Sequence, residues 1–136
     1  MTERILVIDD EPNILRLLKT ILIDKTGYTV VTTNNPLEVN NLLQEERYDL
    51  VVTDLKMPLV DGMDLIDIIK KVDAHLPIII ITAYGTSETA EEAVRKGAFD
   101  YITKPFRKEN LLTTIKRALE WKRMQGELEA LKGPSG

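Results

Sequence analysis

Four apolar runs in this 136-residue chain each stop on residues that could do chemistry. Arg4-Ile5-Leu6-Val7-Ile8 stops on Asp9-Asp10, and Leu50-Val51-Val52-Thr53 on Asp54. Ile78-Ile79-Ile80-Ile81 stops on Thr82, and Asp100-Tyr101-Ile102-Thr103 on Lys104. Brought to one edge, these residues place carboxylates, a hydroxyl and an ammonium around a single small anion. Clustered carboxylates repel one another and stay ionised only beside a cation. An all-oxygen set without His or Cys suits Mg²⁺, which takes few carboxylates and keeps several waters. The matching chemistry is phosphoryl transfer onto a carboxylate. Asp54 is then the nucleophile, Mg²⁺ and Lys104 neutralise charge on the phosphoryl oxygens, and Thr82 donates a hydroxyl. Each residue alone would more often be a cap or a surface feature. Their shared position at successive run ends carries the reading.

That chemistry requires the runs to be parallel strands, because only then do all their carboxyl ends lie along one edge. Leu50–Thr53 and Ile78–Ile81 have the composition of strands buried on both faces. Tyr28–Thr32 reads as a further strand. Between strands, apolar residues recur at helical spacing: Ile14, Leu17, Leu18, Ile21 and Leu22, stopped by Gly27; Val39, Leu42 and Leu43, opened by an Asn35-Pro36-Leu37-Glu38 cap; Met63, Ile66 and Ile69 to Val72. A fourth helix is expected from Glu88 to Lys96 with Gly97 as its cap, and a last, longer one from about Lys108 to Leu131 before a Gly133-Pro134-Ser135-Gly136 tail. Strand and helix alternate without an internal repeat. The expected fold is α/β: one doubly wound, five-stranded parallel sheet with flavodoxin-like order 2-1-3-4-5 and an extended C-terminal helix. In that order the first and third strands meet at the topological switch point, where open α/β sheets bind ligands.

Composition excludes several classes. There are no cysteines, so disulfides, thiolate metal sites and cysteine nucleophiles are ruled out. The single histidine, His75, lies in a polar turn and reads as solvated surface, which disfavours a histidine metal site or a Ser-His-Asp triad. A net charge of −4 argues against nucleic-acid binding by the domain itself. No apolar run approaches the roughly 18 residues of a membrane span. The chain enters a strand almost at once, which leaves no signal peptide, and the cytoplasm is the expected location. The turn after the first strand, Asp9-Asp10-Glu11, contains no glycine, so dinucleotide binding of the Rossmann kind is set aside.

From about Ile5 to Leu119 the chain resembles the receiver domain of a two-component response regulator. The matching motifs are Val7-Ile8-Asp9-Asp10-Glu11, Thr53-Asp54-Leu55-Lys56-Met57-Pro58 with Asp61-Gly62, Ile81-Thr82-Ala83 and Tyr101-Ile102-Thr103-Lys104-Pro105-Phe106. The resemblance implies that Asp54 is a phosphoacceptor served by a sensor histidine kinase. It implies that Mg²⁺ is held by Asp10, Asp54 and the backbone carbonyl of Lys56, with Asp9 reached through water, and that the Lys104-Pro105 peptide is cis. The segments Ala83–Thr86 and Lys96–Tyr101 are most similar to receivers of nitrogen-regulation-type activators, in which an AAA+ ATPase and a DNA-binding domain follow. On that basis residues 1–121 are the receiver, and residues 122–136 are a helical extension that begins a linker. Arg107 departs from a good N-cap, where a short polar side chain serves better.

The expected function is a phosphorylation-dependent signalling switch. A phosphoryl group on Asp54 would attract Thr82 and Lys104, Tyr101 would turn into the vacated space, and the face of the fourth helix, fifth strand and fifth helix would change. Lys56 and Tyr84 flank the site and would shield it from water. The main alternative is a Mg²⁺-dependent phosphatase with an aspartyl nucleophile; such enzymes commonly carry a second acid two residues on, where this chain has Lys56. A flavodoxin-like cofactor module is disfavoured because Asp9-Asp10-Glu11 would repel its phosphate. In the last helix, Leu111, Leu112, Ile115 and Leu119 suffice to cover the sheet. Trp121, Met124, Leu128 and Leu131 continue as a stripe flanked by mixed charge, which suits a homodimeric coiled coil.

Overall fold

Alternating burial decides this architecture. In the computed structural model, which describes residues 3–55, 60–83 and 87–132, β1 (Arg4–Ile8), β2 (Thr29–Thr33), β3 (Leu50–Thr53), β4 (Ile78–Thr82) and β5 (Asp100–Thr103) pair in parallel in the order β2-β1-β3-β4-β5. Leu6, Ile8, Val51, Ile78 and Ile80 face one side, with Val39 and Leu43 of α2 (Val39–Glu45), Leu65, Ile66 and Ile69 of α3 (Gly62–Val72) and Ala93 of α4 (Ser87–Arg95). Ile5, Val7, Val52, Ile79 and Ile81 face the other side, with Leu18 and Leu22 of α1 (Pro12–Thr26) and Leu111, Ile115 and Ala118 of α5 (Lys108–Lys132). Both faces of the central strands are therefore dry, which is why their sequences are unbroken apolar runs. Each such side chain contributes about 1.5–3 kcal/mol by its burial. Among the described residues no helix is long and apolar enough to cross a membrane.

The helix ends follow their local chemistry. Gly27 takes the left-handed conformation at φ 72° and donates its N–H to the Ile23 carbonyl, closing α1. The Asn35 cap differs from the sequence expectation. Its Oδ1 accepts the Leu37 N–H, but it opens a single 3-10 turn, Pro36–Glu38, and the α-helix starts only at Val39. Glu38 does not reach back to Asn35; its carboxylate accepts the Thr33 hydroxyl at 2.8 Å, while the Asn35 N–H goes to the Thr33 Oγ at 3.1 Å. A strand-end threonine thus competes for the groups a capping box would pair.

Two segments named above, Lys56-Met57-Pro58 and Tyr84-Gly85-Thr86, lie outside the described residues, as does the tail from Gly133.

Candidate functional site

Asp9, Asp54 and Lys104 each sit one step past the last rung of the sheet, and Thr82 sits on that rung. The Asp54 N–H donates to the Ile8 carbonyl, Asp9 N–H to Thr33 and Lys104 N–H to Thr82, so the ladder continues into the site and fixes these backbones. Thr82 is itself the last residue of β4, paired with Thr103. The switch-point crevice between β1 and β3 is therefore framed by residues that the strands hold rigidly.

The side chains converge there. Lys104 Nζ donates to Asp54 Oδ2 at 3.0 Å and to Asp9 Oδ2 at 3.3 Å. Asp9 and Asp54 are buried; Asp10, on the same rim, is exposed. Oxygen atoms of Asp9, Asp10 and Asp54 all lie within 4.8 Å of one another. Asp9 Oδ1 also accepts the Glu11 N–H at 2.9 Å, which tucks the acidic turn against β1. Thr82 is buried beside the cluster's strand ends, and Tyr101 on edge strand β5 is 40% exposed. The Lys104–Pro105 peptide is cis.

Electrostatics match this crowding. Burial pushes the Asp9 carboxyl above its ordinary value, with the Asp54 charge adding to it; the Glu11 N–H and Lys104 offset this only in part. Burial would lower Lys104, but its hydrogen bond to Asp54 and the charges of Asp54 and Asp9 hold it above the usual lysine value, so it remains an ammonium. Among the described residues, three carboxylates stand against one ammonium at this rim. The donor set is all oxygen, and a hard divalent cation fits it.

A close approach behind the site adds a residue whose role the sequence only hinted at. Gly62 starts α3 directly against Leu55, the residue after Asp54: a Cβ there would lie 2.6 Å from the Leu55 Cα and 2.6 Å from its carbonyl oxygen. Only glycine fits, and Asp61 caps the helix by accepting the Met63 N–H at 2.9 Å. The Asp61-Gly62 pair docks α3 onto Leu55.

Cation binding should be measurable as stability. A ligand at a hundredfold excess over its dissociation constant stabilises the native state by about 2.7 kcal/mol, so thermal melts should rise with added Mg²⁺. Asp10→Ala should flatten that dependence without touching the core, because Asp10 is exposed. The sign with pH follows from Asp9. Its native carboxyl binds a proton more readily than in the unfolded chain, so without Mg²⁺ stability falls as pH rises from the ordinary aspartate range through the raised value. Mg²⁺ competes with that proton, and its effect should be larger near neutrality than in that acid window. Identical melts with and without Mg²⁺ at neutral pH would remove the cation from the site.

The fold and this rim define a doubly wound protein with an aspartate, an acid pair and a lysine at the switch point. The chain belongs to the response regulator receiver domain family, whose model matches residues 5–116. It is 41% identical over 116 residues to the transcriptional regulatory protein GlrR of Escherichia coli K12, covering 85% of this chain and 26% of that protein. It is 37% identical over 134 residues to the nitrogen assimilation regulatory protein NtrX of Azorhizobium caulinodans, covering 97% of this chain and 29% of that protein. The chain thus spans little more than a quarter of the length of these relatives. Among solved structures, the beryllofluoride-activated NtrC4 receiver domain dimer superposes with a TM-score of 0.83 at 38% identity, covering 88% of this chain and 98% of that one. NtrX from Brucella abortus superposes with a TM-score of 0.90 at 35% identity, covering 96% of this chain and 30% of that one. The relatives are transcription regulators of the nitrogen-regulation type that the sequence resembled.

Proposed function

We propose that the chain is a phosphorylation-dependent switch that takes a phosphoryl group from a sensor histidine kinase onto Asp54. The observation that carries this reading is the Asp54 carboxylate held 3.0 Å from Lys104 Nζ at the switch point, with Asp9 and Asp10 beside it. An Asp54 oxygen attacks phosphorus in line, the bond from phosphorus to the kinase imidazole nitrogen breaks, and that nitrogen keeps the electron pair and takes up a proton. Lys104 stabilises charge on the transferring oxygens, and Thr82 donates its hydroxyl to the product. Asp10, Asp54 and the Lys56 carbonyl would hold Mg²⁺, with Asp9 acting through water. When bound, the ion supplies positive charge to the phosphoryl oxygens.

Once formed, the phosphoryl group adds acceptor oxygens that favour a shift of Thr82 toward Asp54. Tyr101, turned outward at 40% exposure, then has an inward alternative. Moving such an equilibrium from 1:99 to 99:1 takes about 5.5 kcal/mol of differential interaction, within the reach of several charge-assisted hydrogen bonds. The changed face is α4-β5-α5. Residues 1–121 form the receiver and residues 122–136 begin a linker to a DNA-binding output in the cytoplasm. Homodimerisation uses that face or α5, where Met124, Leu128 and Leu131 are 55%, 50% and 83% exposed.

The test is incubation with Mg²⁺ and a small phosphodonor, read by intact mass, peptide mapping and sedimentation. One phosphoryl group on Asp54, requiring Mg²⁺ and accompanied by a shift in the monomer–dimer equilibrium, is the expected result. Labelling elsewhere, or none in the presence of Mg²⁺, overturns the acceptor assignment; unchanged sedimentation overturns the coupling to assembly.

A further inference from the structure

α5 makes a contact that the phosphoacceptor rim does not require. Trp121, which the sequence placed on the partner stripe with Met124 and Leu128, is half-buried against Phe99 of its own domain, ring centres 6.0 Å apart and planes inclined at 55°. The next residue, Lys122, places Nζ 3.3 Å from Asp73 Oδ2 and is only 13% exposed along its side chain. Surface lysines normally extend their charge into water, so this one is held. Asp73 closes α3, and its Oδ1 accepts the His75 N–H at 2.9 Å, which fixes the carboxylate from the other side. Burial would raise its pKa, but the His75 N–H and Lys122 outweigh it and hold the carboxyl below the ordinary range. Lys70 braces the same turn by donating Nζ to the Leu76 carbonyl at 2.9 Å and to Ala74 at 3.3 Å.

Beyond Lys122, the α5 residues Met124, Leu128 and Leu131 are exposed. Beneath this part of the helix lies an open groove of about 810 Å³, lined in part by Arg4, Tyr28, Asp49, His75 and Lys116. Gly126 faces this groove with nothing within 4 Å of where a Cβ would lie. A glycine inside a helix costs about 1 kcal/mol relative to alanine, and no contact within the domain requires it. Both halves of the contact also lead back to the acceptor rim. Asp73 ends the helix that Gly62 docks onto Leu55, a rod of about 16 Å at 1.5 Å per residue. Phe99 precedes β5, the strand that Lys104 directly follows.

We infer that the Lys122–Asp73 ion pair and the Phe99–Trp121 contact form a latch that sets the direction in which α5 leaves the domain. Asp73 and Lys122 are its positioning residues. The latch stands on these two contacts alone; its meaning as the exit of a signal rests on the proposed function.

Trp121 is the only tryptophan and there are no cysteines, so the latch can be read without background. Spin labels at Lys19→Cys and Leu128→Cys, in chains diluted with unlabelled protein, report the direction of α5. Acrylamide quenching of Trp121 reports its cover. Asp73→Asn keeps an oxygen for the His75 N–H, and Lys122→Met keeps the buried stem, so both should fold. Each should shift the ratio of latched to open helix about fivefold toward open, equivalent to about 1 kcal/mol. Trp121 emission then moves to the red and quenches more readily, and the 19–128 distance distribution broadens. Glu120→Gln, on an exposed position of the same helix, should change neither. Unchanged emission and distances in both Asp73→Asn and Lys122→Met overturn the latch. Phosphate incorporation, measured on the same proteins, reports on Asp54 separately: unlabelled wild type with a responsive Trp121 refutes the phosphoacceptor reading and supports the latch.

Discussion

Asp54→Asn should abolish Mg²⁺-dependent phosphate incorporation and leave the domain folded. The substitution preserves volume and replaces an anionic oxygen with a neutral amide that cannot attack phosphorus. Lys104 retains its contact to Asp9 at 3.3 Å, so the ammonium does not lose all its partners. Removing one of three clustered carboxylates also relieves repulsion. Without Mg²⁺ at neutral pH the variant should therefore melt no lower than wild type, and it should gain less from added Mg²⁺. The check is labelling by a small phosphodonor alongside thermal melts in both conditions. Full labelling of this variant would place the acceptor on another residue.

Lys104→Met has the larger effect on stability. Asp9 and Asp54 are buried and face one another, and the lysine bridges both from a side chain only 14% exposed. Taking away one partner of a buried ion pair is far costlier than exchanging the whole pair for apolar groups, roughly 3 kcal/mol or more. The pH sign is the one argued for Asp9. Without the ammonium its carboxyl rises further, the native state holds its proton to higher pH, and the deficit grows as pH rises through that range. The variant should thus be close to wild type in acid and markedly less stable near neutrality, with Mg²⁺ restoring part of the loss. A neutral-pH melting temperature equal to wild type in the absence of Mg²⁺ would show that Lys104 does not hold these charges together.

The central strands β1, β3 and β4 were legible because burial on both faces demands unbroken apolar runs. The polar residues that end the runs were legible for the same reason: Asp54, Thr82 and Lys104 stand where hydrophobicity stops. Given parallel pairing, their arrival on one edge follows from sequence alone, although Lys104 is 95 residues from Asp9. Family motifs in the sequence identified the receiver, and the helical spacing of Leu111, Ile115 and Leu119 marked the last helix. Periodicity, however, records only that a residue is apolar, not what it meets. Trp121 fits a partner stripe as well as it fits Phe99, and only the angle at which α5 crosses the sheet edge settles it on the domain itself. Lys122 and Asp73, 49 residues apart, look like ordinary surface charges until the end of α3 meets the middle of α5. Gly62 stands in the sequence only as part of a motif, because the closeness of Leu55 depends on how α3 is seated. Local composition determines which elements form and where they stop; side chains that meet across elements depend on packing geometry, which no single stretch of chain encodes.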